Sequence, residues 1–208
     1  MNKSEILIHV VDDDASLRSA LARLLGAAGF GVAVYDCAAS FMAAPPADTP
    51  GCILLDVNMP GLSGLQLQQY LVGIHSPLPI VFLTGEGDIA MSVRAIKAGA
   101  EDFLSKPVAS ADLFDAIERA VRRYQLAAPE RIELRELALR VQTLTPREHE
   151  VFVLVVQGLL NKQIAWQLGN TERTVKEQRR CVMEKMQVDS LAELVLAASR
   201  LGLIQTAP

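Results

Sequence analysis

The stretch Cys52-Ile53-Leu54-Leu55-Asp56, an apolar run that ends in an acid, decides the fold of this chain. Similar runs end at Asp12-Asp13, at Thr84 and at Lys106-Pro107. Short apolar runs bounded by turn residues are typical of buried parallel strands. Ligands of an open parallel sheet bind beyond the carboxyl ends of its strands. We therefore expect three carboxylates, one hydroxyl and one ammonium to meet at one edge of a sheet.

Three acids held so close together repel one another unless a positive charge joins them. Ligand sets made only of oxygen suit a hard cation such as Mg²⁺, which keeps several of its waters. The pattern therefore predicts a magnesium site and metal-assisted phosphate chemistry.

Strand-like and helix-like segments alternate through residue 124. The predicted strands lie near 6–11, 31–35, 52–56, 79–83 and 101–104, and the predicted helices near 15–28, 38–43, 63–72, 88–98 and 110–124. Five β/α units predict an α/β fold, a doubly wound five-stranded parallel sheet with helices on both faces.

The composition is that of an ordinary soluble protein, with 50% apolar and 21% charged residues. No apolar run approaches the roughly 18 residues of a membrane span, and the first five residues do not form a secretory signal. The three cysteines are far apart and odd in number, which fits neither a disulfide framework nor a zinc site. We expect a cytoplasmic protein without a membrane partner.

The charge balance differs along the chain and predicts two domains. Residues 1–124 hold nine Lys/Arg and fourteen Asp/Glu, whereas residues 125–208 hold eleven and ten. In 125–142, charges of both signs alternate with leucine, which predicts a helical linker. This helix either pairs with a partner helix or is simply solvated.

Residues 143–208 contain four short helical segments and no strand. Thr145, Asn161, Thr171 and Ser190 are predicted to cap their amino ends. The second and third segments, 161–168 and 172–186, have the proportions of a helix-turn-helix, so we predict a small all-α four-helix domain.

Residues 5–124 resemble the flavodoxin-like receiver domain of bacterial response regulators. The resemblance is carried by four motifs in order: Val10-Val11-Asp12-Asp13-Asp14, Leu55-Asp56-Val57-Asn58-Met59-Pro60-Gly61, Leu83-Thr84-Gly85 and Phe103-Leu104-Ser105-Lys106-Pro107. Each motif alone is weak, but four in this order are highly specific.

The resemblance implies that Asp56 accepts a phosphoryl group from the phosphohistidine of a cognate sensor histidine kinase. It implies that Asp12, Asp13 and Asp56, with the backbone carbonyl of Asn58, bind Mg²⁺. The chain would then catalyse only its own phosphoryl transfer and dephosphorylation. Polar residues at Asn58 and Glu86 imply a labile phosphoryl group.

The same resemblance assigns a switch to Thr84, Phe103 and Lys106. Phosphorylation replaces one negative charge on Asp56 by nearly two. Lys106 would neutralise a phosphoryl oxygen, Thr84 would turn towards the phosphoryl group, and Phe103 would fill the space that Thr84 leaves. The bond between Lys106 and Pro107 is expected to be cis, as in the family.

Residues 142–202 resemble the LuxR/FixJ-type output domain, so the whole chain is similar to FixJ- and NarL-type transcriptional regulators, nearest the FixJ branch. The motifs are Leu144-Thr145-Pro146-Arg147-Glu148, Gly158 to Ala165, Thr174-Val175-Lys176 and Val182 to Met186. The partner that this resemblance implies is double-stranded DNA, and RNA polymerase is a candidate partner.

Segment 172–186 carries basic residues at three- and four-residue intervals, on the scale of a major groove. Lys176 and Arg180 are expected to point towards base edges, and Lys162 and Arg179 towards phosphates. The full set expected at DNA is Lys162, Thr171, Arg173, Thr174, Lys176, Arg179 and Arg180. A solvated basic helix face is the alternative.

Three residues depart from the LuxR-type pattern. Glu177 replaces a branched apolar residue, Gln178 replaces a histidine, and Asn170 replaces a residue that is commonly isoleucine. Glu177 can accept a hydrogen bond from a cytosine amino group, or it can repel phosphates.

The leading hypothesis is a two-component response regulator that controls transcription through phosphorylation-coupled dimerisation. The homodimer is expected to use the face formed by 88–98, 101–104 and 110–124. One alternative is a receiver-type interaction or phosphate-sink protein with a degenerate DNA-binding domain. A Mg²⁺-dependent phosphatase is a third class, which predicts no helix-turn-helix.

Overall fold

A computed structural model describes residues 2–44, 49–85 and 89–204. The chain divides into two compact units, Met1–Ala127 and Ala128–Pro208. Glu86, which the family resemblance links to a labile phosphoryl group, lies outside the described residues.

The first unit is built on a five-stranded parallel sheet with strand order β2-β1-β3-β4-β5. Its strands are β1 Leu7–Val11, β2 Gly31–Tyr35, β3 Gly51–Asp56, β4 Ile80–Thr84 and β5 Asp102–Ser105. Its helices are α1 Ala15–Ala27, α2 Ala38–Ala43, α3 Gly64–Gly73, α4 Ile89–Lys97 and α5 Ser110–Leu126, preceded by a 3₁₀ turn at Lys3–Glu5. The predicted fold class is confirmed.

The central strand β3 explains why helices cover both faces. Its side chains alternate between two cores, because successive residues of a strand point to opposite faces. Cys52 and Leu54 pack in one core with residues of α1 and α5, and Ile53 and Leu55 pack in the other with residues of α2 and α3. Every residue of β3 is buried, so Asp56 lies at the sheet edge at the end of a rigidly packed strand.

The third acid of the Asp12–Asp14 run has a structural task. Asp14 caps α1, where its Oδ1 accepts hydrogen bonds from the backbone N–H of Ser16 (2.8 Å) and of Leu17 (3.2 Å). This satisfies orphan donors of the first helical turn. Asp12 and Asp13 are thereby the acids of this run that remain for the sheet edge.

The second unit contains only helices among its described residues: α6 Ala128–Gln142, α7 Pro146–Val156, α8 Asn161–Leu168, α9 Glu172–Met186 and α10 Leu191–Arg200. Thr145, Thr171 and Ser190 cap α7, α9 and α10 as predicted. The predicted Asn161 cap is wrong. Leu160 holds the cap position of α8 and Asn161 is its first helical residue, because the Asn161 side chain accepts a hydrogen bond from Arg179 instead.

Helix α6, the greater part of the segment predicted as a linker, packs within the second unit. Leu137 is buried in the core of that unit. Arg140 Nη1 donates to the carbonyl oxygen of Met186 at 3.2 Å, and Arg200 donates to Glu133. The backbone carbonyls at the end of a helix lack partners inside it, so Arg140 satisfies one of those of α9.

None of the helices in the described part of the chain combines the length and the apolar character that crossing a membrane requires.

His9 is a buried polar residue in the middle of β1. Only 1% of it is exposed, its Nδ1 lies 3.3 Å from the Tyr35 hydroxyl, and its ring packs against the rings of Tyr35 and Phe41, which also contact each other. Among the described residues its Nε2 has no hydrogen-bond partner. Burial holds the pKa of His9 below its ordinary value, because the charged imidazolium would be desolvated.

This burial predicts a pH-dependent stability. Since the pKa of His9 is lower in the folded than in the unfolded state, the unfolded state binds more protons below about pH 6.5. Urea unfolding is expected to show stability falling as the pH drops from 7.5 to 5.5. His9→Phe should flatten that fall relative to the parent, whereas an unchanged slope would rule out His9 as its source. His75→Gln, at an exposed position, is the control.

Candidate functional site

The three predicted carboxylates meet at the carboxyl edge of the sheet. Strands β1 and β3 are neighbours with Val11 beside Leu55, so Asp12 and Asp56 leave the sheet side by side. One oxygen from each of Asp12, Asp13 and Asp56 lies within 4.8 Å of the others. Asp12 and Asp56 are buried, while Asp13 is exposed at the rim.

Lys106 bridges two of these carboxylates. Its Nζ lies 2.6 Å from Asp12 Oδ2 and 3.1 Å from Asp56 Oδ1. Burial lowers the pKa of the Lys106 ammonium, but the hydrogen bonds to Asp12 and Asp56 outweigh this effect and leave the pKa raised. Lys106 is therefore a fixed positive charge. The peptide bond between Lys106 and Pro107 is cis, as expected.

The phosphoacceptor candidate has a raised pKa. Burial is the largest cause, since it penalises the charged carboxylate of Asp56, and the negative charge of Asp12 adds to it. The Lys106 ammonium and the backbone N–H of Asn58 oppose this rise by stabilising the ionised form. The Asp56 carboxylate is thus desolvated, and a bound cation is attracted to it more strongly than it would be in water.

The predicted switch residues Thr84 and Phe103 lie on β4, which is paired with the strand of Asp56, and on the edge strand β5, and Lys106 directly follows β5. Thr84 ends β4, is fully buried, and faces Ser105 of β5 in the register. Phe103 on β5 is half-buried, with its ring centroid 6.0 Å from that of Phe82. The backbone N–H of Lys106 donates to the Thr84 carbonyl at 2.6 Å, which couples the Thr84 and Lys106 loops directly.

Sequence reasoning missed one residue that shapes this edge. Arg18, on the first turns of α1, donates from Nη1 to the backbone carbonyl of Asp12 at 2.7 Å. The backbone N–H of Asp14 donates to Asp12 Oδ1 at 2.9 Å. Both bonds fix the loop that carries Asp12 and Asp13. An arginine four residues after an acidic run is too common a spacing to mark this role in advance.

The basic residues of α9 do not form a uniform stripe. Arg173 and Lys176 on α9 and Lys162 on α8 are exposed, and none of the three makes a hydrogen bond or ion pair within the described residues. Arg179 Nη1 donates to Asn161 Oδ1 at 3.2 Å, which joins α9 to the start of α8. Arg180 donates to Glu177 and Glu184 on its own helix.

The turn between α8 and α9 carries the remaining predicted DNA residues. Thr171 Oγ1 accepts from the backbone N–H of Thr174 at 3.1 Å, and the two hydroxyls lie 2.9 Å apart. Gly169 adopts a left-handed conformation with φ 66°, which suits a residue without a Cβ. Both threonines are exposed beside the amino end of α9.

Comparison with known proteins agrees with this two-part description. Residues 8–118 match the response regulator receiver domain, and residues 142–198 match the bacterial regulatory proteins of the luxR family. The chain is 43% identical over 197 residues to the transcriptional regulatory protein FixJ of Bradyrhizobium diazoefficiens, covering 95% of this chain and 96% of that one. It is 40% identical over 201 residues to the response regulator protein TmoT of Ectopseudomonas mendocina, covering 97% and 91%.

Solved structures give the same result. The response regulator StyR aligns with a TM-score of 0.62 and 44% identity over 94% of this chain and 99% of that one. Full-length FixJ from B. japonicum aligns with a TM-score of 0.55 and 43% identity over 96% and 98%.

The fold and both matched regions define a regulator that joins a receiver to a DNA-binding domain. The chain belongs to the two-component response regulators with a LuxR-type output domain, and its relatives include FixJ. The receiver domain implies a histidine kinase partner, and the output domain implies DNA binding. The relatives are transcriptional regulators, which does not support the phosphatase alternative.

Proposed function

We propose that Asp56 is the phosphoacceptor of this regulator. The bridge from Lys106 to both Asp12 and Asp56 carries the proposal, because it places a fixed positive charge where phosphoryl oxygens would gather. An Asp56 carboxylate oxygen attacks the phosphorus of a kinase phosphohistidine. The P–O bond forms as the P–N bond breaks, and the imidazole leaves with the electron pair.

We propose that Asp12, Asp13, Asp56 and the backbone carbonyl of Asn58 hold Mg²⁺. The oxygen-only donor set and the desolvated Asp56 carboxylate fit this cation. When bound, the cation supplies positive charge that offsets the gain of negative charge on phosphorylation. Lys106 neutralises one phosphoryl oxygen, Thr84 orients towards another, and Phe103 repacks behind Thr84.

Removal of one ligand should separate metal binding from folding. Asp13→Asn is expected to abolish the rise in thermal midpoint that Mg²⁺ gives the parent, because a ligand that binds only the folded state stabilises it. Differential scanning calorimetry measures the thermal midpoint in two conditions, without Mg²⁺ and with Mg²⁺ at roughly 10 times the concentration that half-saturates the site, on the order of several millimolar.

Asp14→Asn is the matched control for that measurement. It neutralises the adjacent acid, while asparagine remains a good helix cap for α1. It should keep the full Mg²⁺ response. An equal response in Asp13→Asn and the parent would contradict the proposed ligand set.

We propose that the exposed cations of the second unit bind double-stranded DNA. Lys176 contacts base edges as expected from the sequence, and Lys162 and Arg179 contact phosphates. Arg180, also predicted at a base edge, donates to Glu177 and Glu184. In this proposal it therefore acts through those neighbours, and Arg173 contacts the bases instead. Thr171 and Thr174 approach the backbone at the amino end of α9. Phosphate contacts position a protein on the duplex, and base contacts specify the sequence.

We propose that phosphorylation couples these units through a homodimer. The dimer uses α4, β5 and α5, and two output domains then match two half-sites of an operator. In this scheme residues 1–124 form the receiver domain, 125–142 the linker and 143–208 the output domain, and the greater part of the linker packs onto the output domain as α6. RNA polymerase is a partner at the promoter.

Treatment with acetyl phosphate and Mg²⁺ tests the proposal as a whole. Sedimentation velocity should show a shift from monomer to dimer, and fluorescence anisotropy should show tighter retention of a DNA duplex. If neither property changes, the coupling between Asp56 and the output domain is wrong.

A further inference from the structure

The outward face of α9 carries alternating charges. Arg173, Glu177, Arg180 and Glu184 follow one another at three- or four-residue intervals, all four are exposed, and the buried residues of α9 lie on its other side. A helix-turn-helix presents this face of its second helix to the major groove. An acid therefore lies in the middle of the surface that meets DNA.

Arg180 is committed to its own helix. Its Nη2 and Nε donate to Glu177 Oε1 at 2.6 and 3.2 Å, and its Nη1 donates to Glu184. The hydrogen bond from Arg180 keeps the pKa of Glu177 below its ordinary value, which favours the ionised carboxylate still further. Arg180 thus holds the Glu177 carboxylate in place through these hydrogen bonds.

The second oxygen of that carboxylate is available. Within the described part of the chain, Glu177 Oε2 makes no hydrogen bond, and an ionised carboxylate can only accept. In the major groove a carboxylate accepts from the exocyclic N4 amino group of cytosine. The acceptors of guanine and thymine repel it, and adenine places its N7 acceptor beside the N6 amino group that could otherwise donate. The Arg180 guanidinium beside it offsets the repulsion between Glu177 and the DNA phosphates.

We propose that Glu177 is a specificity-determining residue that accepts a hydrogen bond from the N4 amino group of a cytosine in each half-site. Arg180 is a positioning residue that orients the carboxylate and balances its charge. This inference rests on the proposed DNA binding of the output domain.

Selection from a randomised duplex library tests the inference in the full chain treated with acetyl phosphate and Mg²⁺. The parent should enrich cytosine at one position of each half-site by roughly 10-fold over other bases. E177A should lose that preference and keep the others, and E177Q should shift it to adenine, which a carboxamide pairs with in two hydrogen bonds. R180M should weaken the cytosine preference at the same position.

E184Q is the matched control, because it removes the other carboxylate partner of Arg180 one turn further along α9 and should keep the cytosine preference. Identical preferences in E177A and the parent would overturn the inference while leaving DNA binding intact. Loss of selectivity at every position in E177A, with an unchanged circular dichroism spectrum, would overturn it as well. No enrichment by the parent would overturn both the inference and the proposed DNA binding.

Discussion

Asp56→Asn is expected to abolish the uptake of phosphoryl groups from acetyl phosphate, a loss of at least roughly 100-fold in the fraction modified. A carboxamide has no anionic oxygen to attack phosphorus. The substitution is isosteric and removes a charge that burial makes costly, so the receiver should fold at least as stably as the parent at pH 7. Intact-mass spectrometry measures the modified fraction, and urea unfolding checks the fold.

The dimerisation and DNA responses of this variant should vanish with the phosphoryl group. Asp14→Asn is again the control, since it alters a neighbouring acid that caps α1 and should be modified like the parent. Modification of Asp56→Asn at the parental level would show that another residue accepts the phosphoryl group.

Gly64→Ala is expected to destabilise the receiver by roughly 3 kcal/mol or more. Gly64 begins α3, and a Cβ built there would lie 2.1 Å from the backbone carbonyl oxygen of Asp56. The neighbour is backbone and cannot rotate away. The Gly64 N–H also donates to the Val57 carbonyl at 2.9 Å, which holds α3 against the end of β3. Either α3 or Asp56 must move.

Gly73→Ala, at the other end of the same helix, is the matched control. A Cβ there meets no atom within 4 Å, so the substitution should leave stability unchanged or raise it by about 0.5–1 kcal/mol. Urea unfolding followed by circular dichroism compares the two variants. Equal midpoints for both would mean that α3 adjusts to the added carbon without strain.

Much of the receiver follows from its sequence because the governing signals are local. The runs before Asp12, Asp56 and Thr84 are continuous and apolar, and turn residues bound them, so strand ends fall within a residue or two of the prediction. Parallel topology then brings these residues to one edge. The bridge by Lys106 follows from the same rule, although its hydrogen-bond partners depend on side-chain geometry that no pattern specifies.

The output domain shows where such signals stop. Asparagine is a favoured cap residue, yet the side chain of Asn161 accepts a hydrogen bond from Arg179, eighteen positions further along the chain. The spacing of Glu177, Arg180 and Glu184 does contain the information for their ion pairs, because residues three and four apart face each other on a helix. The leucine pattern of α6 is equally consistent with a solvated helix and with one that pairs with a partner helix. The pattern does not show which surface buries Leu137, and in the structure that surface is the core of the second unit.

The bond from Arg140 to Met186 has a practical meaning for protein engineers. A chimaera that grafts this output domain onto another sensor is safest when spliced before Ala128, where α6 begins. A residue inserted or deleted in α6 after Arg140 would rotate Arg140 by about 100° relative to the rest of this domain. Helix α9 would then lose the hydrogen bond that Arg140 makes to its last residue, even though every residue from 143 onward is intact.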